Sequence, residues 1–175
     1  YEHNWRKHEV VEEACVRWQN KLPLYNLRLN TLSAALVRAQ LPELDRRVSD
    51  GRRNHDYVAE RLNTSPHIDV PKALAKELRA PDSIQFNLTG LSEDQIRAYA
   101  KATKEAGITV QVFGLSADNA RAFWNWEFLP EKFELPRTRD MLMTACDARL
   151  PARLTLAECD IVADALLDAL TTVSA

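Results

Sequence analysis

Seam positions recur at alternating steps of four and three residues along the first third of the chain: Val37, Leu41, Leu44, Val48, Gly51, His55, Val58 and Leu62. On a helix that rhythm makes a single stripe. Arg46, Arg47, Arg52, Arg53 and Glu60 fall off the stripe, as on a helix with one side packed and the other wet. Gly51 stands in the stripe although glycine in a helix costs about 1 kcal/mol relative to alanine, which predicts a close approach there by another helix. Pro42 suits a first turn but not a helix interior, so the pattern predicts a short helix over Thr31–Gln40, a kink, and a long helix to Leu62.

Upstream, residues 9–18 carry a short helical pattern. Downstream, the turn-rich residues 63–66 lead to an extended stretch at 67–70, and a charged connector over 72–83 reads as a short helix or loop ending at Pro81 and Asp82. Ile84, Phe86 and Leu88 then alternate with Gln85, Asn87 and Thr89, the signature of a half-buried strand. Ser92 and Gln95 form a capping box opening a helix over 93–106, Gly107 ends it, and a strand follows at 108–113. Residues 114–140 are irregular and hold four aromatics, Phe123, Trp124, Trp126 and Phe128. Residues 141–146 read as an edge strand, and Thr155 with Glu158 caps a last helix whose stripe is Leu156, Cys159, Val162, Ala163, Leu166 and Leu170. The order of elements predicts an α+β fold: a long kinked helix, then a small domain with a short, mainly antiparallel sheet and packed helices. The expected division is 1–62 for the N-terminal segment and long helix and 63–175 for the small domain.

At 175 residues the chain is long enough to bury a real core. A formal net charge of −2 with interspersed signs gives no electrostatic footprint for nucleic acid or an anionic membrane. No apolar run reaches the roughly 18 residues of a membrane span, and the first ten residues are too polar for a signal peptide. Cys15, Cys146 and Cys159 lack CxxC spacing, which argues against zinc and for reduced core thiols in a cytoplasmic protein. His8, Glu9 and Glu12 fall short of a zincin motif because Glu12 replaces the second histidine, so no metal site is expected. The four glycines are isolated, which excludes GxGxxG, GxxxxGK and GxSxG. The aromatic cluster at 123–128 reads either as a wall of a substrate pocket, with Trp124 and Trp126 as its contacts, or as a loop pinned by its own rings.

Residues 26–36, NLRLNTLSAAL, resemble the NYRMSELQAAL signature of the DegT/DnrJ/StrS aminotransferases, enzymes that use pyridoxal 5'-phosphate to aminate sugars and aminocyclitols. The order of elements after the signature is similar too, down to the GI strand at Gly107 and Ile108 and the passage from Leu150 to Asp160 into the last helix. The resemblance implies the C-terminal half of a fold type I enzyme, acting in the full-length protein as an aminotransferase of sugar biosynthesis on a keto-sugar or related carbonyl. The small domain and the interface helix would lie here, and the cofactor would be held mainly by an N-terminal large domain. The implied partners are that domain, a second copy in a homodimer, an amino donor and a keto acceptor.

None of the seven lysines, Lys7, Lys21, Lys72, Lys76, Lys101, Lys104 and Lys132, stands in the family's Schiff-base context. No catalytic residue is therefore expected in this chain, which alone should be inactive. Two positions correspond to cofactor-binding residues. Asn26 matches the asparagine that reaches the cofactor phosphate of the neighbouring subunit, and Arg28 matches the signature arginine, whose planar fork holds an anion or braces the loop. Leu27, Leu29 and Asn30 depart from the signature, and the region after the GI strand lacks the family's proline- and histidine-rich loop. A non-catalytic binding or assembly module built on the same fold is the rival reading.

Overall fold

The computed structural model describes Arg17, Lys21 and residues 30–116, 119–129, 131 and 133–174. Helix α1 (Thr31–Gln40) starts at Asn30, whose Oδ1 accepts from the Ser33 amide at 2.8 Å. A 3-10 turn at Leu41–Glu43, with Pro42 in its first positions, separates it from α2 (Leu44–Leu62). Proline has no N–H to give an α-helical ladder, so the ladder restarts here. The stripe read from the sequence is divided. Gly51, His55, Val58 and Leu62 are buried, whereas Val37, Leu41 and Leu44 remain 49%, 55% and 52% exposed.

Four strands follow: β1 (Ile68–Asp69), β2 (Ser83–Leu88), β3 (Val110–Val112) and β4 (Ala145–Arg149), in the spatial order β1-β2-β4-β3, with every pairing antiparallel. Both β2 and β3 run against β4, so they are parallel to each other with β4 between them. Helix α3 (Glu93–Glu105) carries the crossover, giving a split βαβ unit. Its capping box is complete, Ser92 Oγ accepting from the Gln95 amide and Gln95 Oε1 accepting from the Ser92 amide. Gly107 takes φ +87° immediately after it, a left-handed conformation that residues with a Cβ rarely adopt. The last helix, α5 (Leu156–Ser174), opens on the reciprocal Thr155 and Glu158 pair.

One sheet face and three helices make the core. Ile84, Phe86, Leu88, Val110, Val112, Cys146 and Ala148 pack with Val58 and Leu62 of α2, Ile96 and Tyr99 of α3, and Cys159, Val162, Ala163 and Leu166 of α5. The opposite face is polar: Gln85, Asp147 and Gln111 form one row across β2, β4 and β3. Asp147 Oδ1 there accepts from Ser83 Oγ at 2.8 Å and Gln85 Nε2 at 3.2 Å. Cys146 and Cys159 are free, buried thiols, while Cys15 lies outside the described residues. Among the described residues no helix is long and apolar enough to cross a membrane.

Three expectations need correction. Residues 141–146 are not an edge strand: α4 (Pro136–Thr144) runs directly into β4, and β4 is an interior strand. Its inward residues Cys146 and Ala148 are small, so the apolar alternation that betrays a strand is faint. The close neighbour of Gly51 is not another helix either. A Cβ there would lie 2.5 Å from the carbonyl oxygen of Pro81, in the connector before β2. Finally, Leu156 does not join its stripe in the core but stays 40% exposed.

Candidate functional site

The irregular segment that holds the tryptophans is tied off at its base. The Phe113 amide donates to the Ala145 carbonyl at 3.0 Å, and the Gly114 amide donates to the Leu142 carbonyl at 2.7 Å. The chain leaves the end of β3 and returns through α4 at nearly the same place, so the excursion is closed at its base. Gly114 is required by that closure: a Cβ would fall 2.5 Å from Met143 Sδ and 2.9 Å from its backbone.

Within the loop, side-chain amides replace the backbone ladder that irregular chain lacks. Asn125 Nδ2 donates to the carbonyls of Ser116 and Asn119 at 3.1 and 3.2 Å, and Asn119 Oδ1 accepts from the Arg121 amide at 2.9 Å. This bracing sets the 3-10 turn Phe123–Asn125, on which Trp124 is carried, with Trp126 just beyond it. Phe123 meets Trp124 edge to face with centroids 5.2 Å apart, and Trp126 stacks on Phe128 at 5.7 Å. The Arg139 guanidinium lies 4.7 Å from the Trp124 centroid, and that of Arg121 lies 4.3 Å from the Phe113 centroid. Such cation–π contacts hold a charged group on a ring face.

Both tryptophans are half-buried. The Trp126 indole N–H is already committed to the Ala120 carbonyl at 2.6 Å. Arg121 and Arg139 escaped the sequence reading because a guanidinium resting on a ring leaves no spacing signature. Asn119 keeps Nδ2 buried without a hydrogen-bond partner.

The two cofactor-binding candidates, Asn26 and Arg28, lie outside the described residues. Just beyond them Asn30 and Thr31 begin α1, so the signature leads directly into a helix N-terminus. Among the described residues, Lys21, Lys72, Lys76, Lys101 and Lys104 are all exposed, whereas a Schiff-base lysine needs a desolvated setting. The two described thiols offer no nucleophile: burial pushes the Cys146 thiol up to about 12 and raises that of Cys159. No group of three or more His, Cys, Asp or Glu side chains among the described residues could hold a metal ion.

Comparison with known proteins places this architecture. No curated protein matches the chain significantly. Among solved structures, 3-amino-5-hydroxybenzoic acid synthase is similar with a TM-score of 0.67 at 21% identity, covering 94% of this chain and 47% of that one. The aminotransferase PseC of Helicobacter pylori, involved in the biosynthesis of pseudoaminic acid, gives a TM-score of 0.71 at 13% identity, covering 94% and 47%. The putative sugar aminotransferase Spr1654 of Streptococcus pneumoniae in its PLP form gives 0.70 at 14% identity, covering 94% and 44%. The chain thus spans about half the length of the solved structures it matches. The fold is that of about half of a fold type I sugar aminotransferase. A profile of the DegT/DnrJ/EryC1/StrS aminotransferase family matches residues 3–167, and the chain belongs to that family.

Proposed function

We propose that the chain is the C-terminal part of a pyridoxal phosphate-dependent aminotransferase of sugar biosynthesis, passing an amino group to a keto-sugar or related carbonyl. The observation that carries the reading is the family match over residues 3–167, joined to a fold that corresponds to one half of the similar structures. In this reading residues 1–62 supply the interface segment and helix, and residues 63–175 form the small domain. The large domain would hold the cofactor and its lysine.

The row Leu32, Leu36, Val37, Leu41 and Leu44 supports the interface role. These side chains are 72%, 59%, 49%, 55% and 52% exposed, more apolar surface than an isolated helix face usually leaves in water. The large domain and a second copy in a cytoplasmic homodimer are the partners proposed to cover it. Asn26 and Arg28 would then reach the cofactor of the neighbouring subunit, while Trp124 and Trp126 would present ring surface to the keto acceptor. The full-length protein should show the cofactor's visible absorption band and convert a keto-sugar to its amine when given an amino donor. A colourless full-length protein that cannot be reconstituted with pyridoxal phosphate would favour the non-catalytic module and refute this proposal.

A further inference from the structure

In the connector between β1 and β2, residues 72–78 are exposed at every position and make no hydrogen bond to any helix or strand among the described residues. Leu74 and Leu78 are 77% and 79% exposed, so burial does not hold the segment down. Its attachment is concentrated in one residue. Arg79 Nη1 donates to the Pro71 carbonyl at 2.9 Å, which draws the two ends together, while Nε and Nη2 donate to the Glu77 carboxylate at 2.6 and 3.4 Å. Glu77 Oε2 also accepts from the Leu74 amide at 2.9 Å, and the Glu77 amide donates to the Leu74 carbonyl at 2.9 Å, closing a turn at the tip. The Arg79 carbonyl accepts from Arg52 Nε, which ties the far end to α2.

The segment borders a cleft against α2, lined by His55, Pro71, Glu77, Arg79, Pro81 and Gln85 among others. His55 stands one helical turn beyond Gly51, the residue against which the Pro81 carbonyl packs, and is only 8% exposed. Glu77 and Arg79 thus fasten the segment and wall the cleft at once. Their side chains are 35% and 27% exposed, and an ion pair so placed contributes little to global stability. It can still govern a segment with no other attachment, because a local opening is opposed only by the bonds which that opening breaks.

We propose that residues 72–78 form a strap that opens and closes over this cleft as a unit, with the Glu77–Arg79 pair as its latch and His55 as the group whose access it controls. The inference rests on the connector alone and not on any aminotransferase activity.

The test is acylation of the 175-residue chain by diethylpyrocarbonate, with His55 and His67 followed by peptide mass mapping. His67 lies outside the cleft and serves as the internal standard. In the wild-type chain His55 should react far more slowly than His67. Glu77→Ala should speed His55 about five- to tenfold, as befits loss of a charged hydrogen bond, and leave His67 and the melting temperature unchanged. Opening a short segment exposes little surface, so the wild-type His55 rate should rise only weakly with urea below the unfolding transition. An unchanged His55 rate in Glu77→Ala, or a gain matched by an equal loss of global stability, overturns the latch. A wild-type His55 rate that equals that of His67, or that climbs with urea as steeply as global unfolding, overturns the strap, and this arm needs no variant to fold.

Discussion

The carbonyl oxygen of Pro81 stands 2.5 Å from where a Cβ on Gly51 would be, and the helix end, β1 and connector between them are folded back to bring the two together. The Arg52 Nε beside Gly51 donates to the Arg79 carbonyl, fixing the same approach from the next residue. A methyl group at Gly51 would have to push backbone aside rather than a flexible side-chain tip. Gly51→Ala should therefore destabilise despite its better helix propensity, and Gly51→Leu should cost about 1–3 kcal/mol by overpacking. Urea unfolding followed by circular dichroism measures both; midpoints equal to wild type would contradict the contact.

The Glu158 carboxylate accepts from the Thr155 amide and hydroxyl at 2.8 Å each, and these bonds hold its pKa below the ordinary value. A folded pKa below the unfolded one means that stability is fully present above the unfolded value and is lost as pH falls through the folded one. The contribution should therefore be complete at neutral pH and decline as pH drops below about 4. Glu158→Gln should lower stability at pH 7 and lessen its dependence on pH in the acid range. Thermal melts of both proteins from neutral to strongly acid pH check this, and parallel curves would count against it.

Cys146 is 1% exposed and its thiol is pushed up to about 12, so the thiolate that reacts with alkylating agents is scarce at neutral pH. Iodoacetamide at pH 8 should leave Cys146 and Cys159 unmodified in the folded chain and label both in guanidinium. Peptide mass mapping reads the outcome; rapid labelling of Cys146 in the native chain would mean that the core opens far more readily than its packing implies.

Asn26→Ala in the full-length protein should weaken pyridoxal phosphate binding by about 1.5–3 kcal/mol, the cost of one hydrogen bond to a charged group. If Asn26 acts across a two-fold interface, mixing these subunits with subunits lacking the Schiff-base lysine gathers both defects in one site and leaves the other whole. Activity should return on mixing. If subunit exchange is demonstrated and the mixture stays inactive, Asn26 does not serve its neighbour.

Much of this fold is legible because its cues are local. Pro42 marks the restart of the helix, and Ser92 with Gln95 and Thr155 with Glu158 declare the first turns of α3 and α5, each through contacts three residues apart. Non-local features resist the same reading. Ala145–Arg149 has only Cys146 and Ala148 to turn inward, so neither its strand character nor its interior place is written in its own residues. Gly51 announces a close neighbour but not which one, because the identity of Pro81 is decided by the path of the connector. For the site, the density of rings at 123–128 is visible in the sequence, whereas the seating of Arg139 on Trp124 depends on α4 folding back beside the loop.

The knot of backbone bonds at Gly114, Phe113, Leu142 and Ala145 has an engineering meaning. With its ends fastened there, the excursion between them resembles a cassette in a holder. Lengthening such a closed excursion costs chain entropy only logarithmically, so each doubling adds roughly 0.6 kcal/mol. Foreign sequences grafted between Leu115 and Leu135 should thus be tolerated by the framework, provided Gly114 is kept, making this the natural place to diversify a library while leaving the scaffold unaltered.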